Sequence, residues 1–218
     1  MMLLLLCVLC AVLTACGTPN AAEEKPAAYT VTDIEGTEVA FPEPPKRIIT
    51  LSMSTDETML GLVEPERMVA VNSLLDDPVS SNITALAKAI PQRIGDPTVE
   101  EIIALQPDLV VVPDWGDLTM VPSLREAGLR VVVCKGARNL AEIRDTIDLL
   151  AAAAGVPERG AKLRAMMDAK LAEIQEKVAK IPQAERKTVV LISLMGGYGG
   201  LGSSFDEACR YAGGINGR

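Results

Sequence analysis

Residues 98–134 read TVEEIIALQPDLVVVPDWGDLTMVPSLREAGLRVVVC, and this stretch decides the fold. Thr98 followed by Glu101 is a capping box that opens a helix. Gln106-Pro107 closes that helix, because proline disfavours helical backbone in the residue before it. Leu109–Pro113 (LVVVP) is then apolar without interruption. A strand covered on one face alternates in polarity, whereas one covered on both faces does not, so LVVVP predicts a buried parallel sheet. Leu118–Ala127 reads as a helix with Gly128 as its C-cap. Arg130–Cys134 (RVVVC) repeats the apolar strand. Strands alternating with helices through short links predict a doubly wound α/β unit.

Upstream, Tyr29–Phe41 alternates around Asp33-Ile34-Glu35-Gly36 and predicts a β-hairpin, which Pro42-Glu43-Pro44-Pro45 ends. Arg47–Met53 (RIITLSM) predicts a strand. Ser54 with Glu57 predicts a capping box, and the helix it opens carries Met59, Leu60, Leu62 and Val63 to near Pro65. Arg67–Asn72 (RMVAVN) is a second strand. Downstream, Asn139 caps a helix that runs to about Ala154. From Glu158 to Lys180, Leu163, Met166, Met167, Leu171, Ile174 and Val178 recur at three- and four-residue steps, and Ile181 continues them. This predicts one amphipathic helix, roughly 35 Å long, able to bridge two lobes. Lys187–Met195 starts a new strand, and Ser204 with Glu207 caps a short helix. The expected division is an α/β lobe over 29–155, an inter-lobe helix over 156–182 and the start of a second α/β lobe over 183–218.

The N-terminus carries a different signal. Met1–Val12 (MMLLLLCVLCAV) is too short for a membrane span, which needs about 20 residues, and it suits the apolar core of a signal peptide over 1–15. Leu13-Thr14-Ala15-Cys16-Gly17 is similar to the bacterial lipobox, so Cys16 is expected to be lipidated. No Lys or Arg precedes the apolar run, which departs from the pattern. Residues 16–28 give the lipidated Cys and a small, polar tether. The competing reading is a buried N-terminal strand or helix.

Composition narrows the chemistry. The 218 residues carry a net charge of −8 and no histidine. That removes Ser-His-Asp and Cys-His arrangements and the usual transition-metal sites. No Lys/Arg cluster marks a nucleic-acid binder. Cys134 and Cys209, the two cysteines of the body, read as buried unpaired thiols.

The segments TVTDIEGTEVAFPEPPKRIITLSMS, TVEEIIALQPDLVVVP, REAGLRVVVC and GSSFDEACRYAGGINGR, with the long helix between the last two, resemble one family. It is the periplasmic-binding-protein family for iron siderophores, haem and vitamin B12. The resemblance covers residues 29–218. It implies two α/β lobes joined by a rigid helix, a ligand in the cleft between them, and a second lobe incomplete in this chain. The implied role is a non-enzymatic monomer without a cofactor of its own. It is exported and lipid-anchored on the extracytoplasmic face. It captures a metal chelate and delivers it to an ABC permease and its ATPase. A ferric siderophore leads, with cobalamin and haem as the other candidates. The resemblance also implies that Glu100 docks on the permease; otherwise it is an ordinary carboxylate at a helix N-terminus.

Ligands of doubly wound sheets sit beyond the carboxyl ends of the strands. In the first lobe that rule selects Ser52, Ser54 and Thr55, then Asn72, then Asp114, Trp115 and Gly116. Gly197, Tyr198 and Ser203 face them from the second. Trp115, the single tryptophan, offers an aromatic plane in a polar loop. It also reads as a partly buried loop anchor, and Ser54 also reads as a plain helix cap. Two other functions remain in play. Gly197–Gly202 (GYGGLG) matches the dinucleotide fingerprint of an NAD-dependent oxidoreductase, but the following helix is short and meets Gly213-Gly214, and the sequence ends before the position about 20 residues on where an acidic residue is expected. The second is a membrane-anchored sensor or interaction protein of the same fold.

Overall fold

The computed structural model describes residues 28–192 and 199–218. The signal peptide, most of the tether and Cys16 lie outside the described residues. Tyr29–Thr32 (β1) and Glu38–Phe41 (β2) form the antiparallel hairpin that the alternation predicts. Asp33 fixes its turn by accepting the amides of Glu35 and Thr37, both at 2.9 Å. The same carboxylate accepts Arg125 Nη2 at 2.8 Å and the Val133 amide at 3.2 Å. One buried side chain thus shapes the hairpin and seats it on the body. Asp33→Ala strands those donors and is expected to cost about 3 kcal/mol. Urea denaturation checks this, and an unmoved midpoint would refute it.

The chain continues through Ile48–Thr50 (β3), Met53–Leu60 (α1), Met68–Asn72 (β4), Thr84–Ala87 (α2), Gln92–Ile94 (β5) and Val99–Ala104 (α3). Leu109–Pro113 (β6), Met120–Glu126 (α4), Val131–Cys134 (β7) and Leu140–Ala153 (α5) complete the unit. The five central strands are parallel, in the order β5-β4-β3-β6-β7. Alternate residues of each strand serve opposite faces. Ile48, Val71, Leu109, Val111 and Val132 pack with Met59, Ile147 and Leu150 from α1 and α5. Ile49, Ala70, Val110, Val112 and Val133 pack with Ile102, Val121 and Leu124 from α3 and α4. Double coverage is why LVVVP and VVVC have no polar positions.

Pro157–Val178 (α6) is the long helix, with proline at its first position, where no helical amide bond is lost. It lies on α5, with Gly160 so close to Ala151 that an added Cβ would sit 2.5 Å from the alanine Cβ. Arg144 Nη2 of α5 pairs with Asp168 of α6 at 2.7 Å. Leu163 and Met167 pack against the core, whereas Met166 is 61% exposed and lies off the expected stripe. Beyond α6 come Thr188–Val189 (β8), Ser204–Tyr211 (α7) and Ile215–Asn216 (β9), with β8 and β9 parallel. Val178 and Ile181 meet Gly213, just past α7, so the region of α6 touches both units.

Three local readings are corrected. The cap of α1 is Ser52, whose Oγ accepts the Thr55 amide at 3.2 Å, and not Ser54. Met59 and Leu60 of this helix lie in the core, as the sequence pattern expects. The cap of α7 is Ser203, whose Oγ accepts the Asp206 amide, and not Ser204. The strand expected over Lys187–Met195 covers Thr188–Val189 among the described residues, with Met195 outside them.

Candidate functional site

From β3 the chain lays β4 and β5 to one side, then crosses back to place β6 and β7 on the other. The strand order therefore reverses between β3 and β6, where doubly wound sheets open a crevice at their carboxyl ends. A cavity of about 740 Å³ stands there. Ser54, Trp115, Gly136, Ala137 and Arg138 line it from the first unit. Leu191, Gly199, Ser203, Ser204 and Phe205 line it from the second.

Trp115 keeps 59% of its surface exposed. Its indole rests on Gly136, where an added Cβ would collide with Cδ1. A glycine there lets the ring approach the backbone closely. The neighbouring Ala137 has φ 53°, a left-handed conformation that alanine holds only under constraint. Arg138 supplies that constraint. Its Nη2 donates to Asp114 Oδ1 at 2.8 Å, and its amide donates to Glu142 Oε2 at 2.9 Å. The hydrogen bond it donates to Asp114 raises the pKa of the guanidinium, which stays cationic. The site thus presents an aromatic plane beside a guanidinium that Asp114 and Glu142 hold in place, a surface suited to a flat ligand with an anionic group.

Of the residues selected from sequence, the structure brings Ser54, Trp115 and Ser203 together at this cavity. Ser52 and Thr55 instead turn inward and are buried, with Oγ and Oγ1 2.7 Å apart. Ser52 is occupied as the helix cap, its side chain accepting the Thr55 amide. Asn72 is drawn away too, its Oδ1 accepting the Leu74 amide and its own amide donating to Asp56. Asp114 acts through Arg138, and the Gly116 amide closes a turn on Pro113 O. Gly197 and Tyr198 lie outside the described residues. Gly136, Ala137, Arg138, Ser204, Phe205 and Leu191 were not selected. For the first three the signal was present, since KGAR follows the apolar strand RVVVC directly.

Glu100 stands exposed on α3, whose N-terminus lies at the end of the sheet that carries the cavity. Its neighbour Glu101 is committed to the capping box, its Oε2 accepting the Thr98 amide at 2.8 Å. The two adjacent carboxylates therefore have separate roles.

A doubly wound sheet, a long connecting helix and a cleft lined from both sides define a bilobal binding architecture. The chain belongs to the family described as periplasmic binding protein, matched over residues 48–216. The match includes Gly197–Gly202, which removes the dinucleotide-enzyme reading of that loop. The chain is 26% identical over 189 residues to YvrC of Bacillus subtilis strain 168, named an uncharacterized ABC transporter substrate-binding lipoprotein. That alignment covers 82% of this chain and 59% of YvrC. It is 29% identical over 146 residues to a cobalamin-binding protein of Halobacterium salinarum, covering 63% of this chain and 39% of the relative. The fold is similar to the molybdate-binding protein MolA of Haemophilus influenzae, with a TM-score of 0.69 at 19% identity over 86% of this chain and 65% of that one. It is also similar to a periplasmic heme-binding protein of Pseudomonas aeruginosa, with a TM-score of 0.64 at 22% identity over 79% of this chain and 62% of that one. The chain thus spans less than two thirds of the length of these relatives.

Proposed function

We propose that this chain belongs to an extracytoplasmic solute-binding protein of an ABC importer that captures a metal chelate. The observation that carries the reading is the cavity of about 740 Å³ at the point of strand reversal, with Trp115 exposed in it and Arg138 beside it. Its volume falls within the range of about 300–1,000 Å³ that suits small-molecule ligands. A ferric catecholate siderophore and haem, with its two propionates, meet the demand for a conjugated, anionic surface, and cobalamin offers a broad corrin ring for the indole to stack on. The names of the relatives support transport of such cargo, with cobalamin and heme among their ligands. Cys16 is proposed as the lipid anchor, and the protein as a monomer that meets a permease and its ATPase.

A thermal-shift screen against ferric siderophores, haem, cobalamin and simple metal salts tests the ligand class. A ligand of the folded state raises the midpoint by RT ln(1 + [L]/Kd). A saturable rise with one chelate is expected. A cooperative melt that none of them moves would reject the reading.

Glu100 is proposed as a docking carboxylate for the permease. Its exposure and its freedom from the capping box support this. Glu100→Ala is expected to lower uptake about tenfold or more with the ligand Kd unchanged, since a lost charge pair at a protein interface costs about 2 kcal/mol or more. Glu101→Ala is expected to lower stability by about 1 kcal/mol through loss of the cap. Equal uptake in Glu100→Ala and wild type would sink the docking role.

A further inference from the structure

Among the described residues, the second unit meets the first at two places, and only one of them is the long helix. The other lies at the wall of the cleft. The Ser204 amide of α7 donates to Arg138 O at 2.6 Å. The Leu140 amide, in the first turn of α5, donates to Glu207 Oε2 at 2.5 Å. Asn139 caps α5 from within by accepting the Glu142 amide at 2.9 Å, which leaves the Leu140 amide for a partner from elsewhere. A carboxylate suits that place because the N-terminus of a helix is electropositive. The sequence pattern offered Glu207 as half of a capping box for its own helix. With Ser203 as the cap of α7, Glu207 is free to reach across to α5. Its side chain is 18% exposed, and Arg210 Nη2 stands 3.6 Å from its other oxygen.

We propose that Glu207 is a positioning residue for the cleft, a latch whose carboxylate holds α7 against the start of α5 and so sets the width of the cavity. Both bonds converge on residues 138–140, directly after Gly136 and Ala137 in the cleft wall. The facing wall, Ser203 to Phe205, is the first turn of α7 itself. With Glu207 in place the two walls are fastened to each other, and opening the cleft requires both bonds to break. Without it, the Ser204–Arg138 bond is the one left across the cleft wall beside α6, and the walls part more readily. The effect on binding rests on the reading of this cavity as the ligand site; the latch itself does not.

Two measurements on the protein test it. Amide hydrogen exchange reads the Leu140 and Ser204 bonds, and spin labels at Asn82→Cys and Ala208→Cys, both exposed positions, read the separation of the units. Glu207→Ala is expected to speed exchange at Leu140 at least tenfold and to broaden the label distance. Glu207→Gln, which keeps a side-chain acceptor, is expected to stay near wild type on both. Should Glu207→Ala not fold, Glu207→Asp, one methylene shorter, carries the same comparison. Unchanged exchange and distance in Glu207→Ala would overturn the latch. With a bound chelate, association and dissociation are both expected to quicken in Glu207→Ala while the melting midpoint moves little. Binding with unaltered rates rejects the latch and keeps the ligand reading. A wild-type protein that binds no chelate, with the cleft still widened in Glu207→Ala, rejects the ligand reading and keeps the latch.

Discussion

Asp56→Asn is expected to flatten the fall in folding stability that the wild type shows between about pH 4 and pH 7. Asp56 is fully buried in the first turn of α1. Its Oδ1 accepts the Thr50 hydroxyl and its Oδ2 accepts the Asn72 amide at 2.7 Å. Burial pushes its pKa from 3.8 up to about 7, against the opposing pull of those two hydrogen bonds. The nearby charges that act on it are Glu57, which adds to the rise, and Arg93, which opposes it. The sign follows from proton counts. Between pH 4 and pH 7 the folded state keeps a proton that the unfolded chain releases, so stability falls as pH rises through this window. The contribution is complete below the unfolded pKa and lost above the folded one. A gap from 3.8 to about 7 corresponds to on the order of 4 kcal/mol.

Asparagine has no proton to lose, and its amide can still accept from Asn72. Asp56→Asn is therefore expected to match or fall below wild type at pH 4.5 and to exceed it at pH 8. Urea denaturation at several pH values measures the difference. Asp76, Asp77 and Asp117 have pKa values lowered by local hydrogen bonds, and they add stability that is lost as pH falls. They are common to both proteins and cancel in the comparison. Parallel pH profiles for wild type and Asp56→Asn would show that the carboxyl does not hold its proton.

The second large effect falls on binding. Trp115→Ala is expected to weaken binding of the chelate about thirtyfold or more, because a tryptophan at the centre of an interface contributes about 2 kcal/mol or more. Stability should barely change, since the ring is 59% exposed. Gly136→Ala is expected to reproduce much of the loss by displacing the indole from its seat. Arg138→Ala should weaken anionic chelates selectively and flatten the salt dependence of their binding, because a cation that attracts them has been removed. Calorimetric titration of the three variants measures these effects. Wild-type affinity in Trp115→Ala would place the ligand elsewhere.

Much of the first unit was legible because its signals are local or repeat along the strand. LVVVP and VVVC declare burial on both faces, and Thr98 with Glu101 forms the cap it spells. The segment from Ser73 to Ile94 was not read. It holds one-turn helices and the edge strand β5, whose QRI pattern is too short and too polar to stand out. At α1 two serines two residues apart both satisfy a capping pattern. The structure uses Ser52, whose side chain accepts the Thr55 amide. The site divides in the same way. The rule of strand ends found Ser54 and Trp115 at the loops beside the reversal point. It missed the loop after β7, which joins the cavity because α7 folds back on it through contacts about 65 residues apart in sequence. It also selected Ser52, Thr55 and Asn72, whose polar atoms the structure spends on caps and turns.

The most direct test of the account uses the single tryptophan. Trp115 is exposed in the proposed ligand cleft, so its fluorescence senses a chelate bound there. Titration of the folded protein with a ferric siderophore, haem or cobalamin is predicted to quench it saturably with one of them, with competition by excess of the metal-free analogue at most weak. An emission that none of the chelates quenches beyond simple absorption of the light, in a protein that melts cooperatively, would contradict the claim that this cleft is built for a metal chelate.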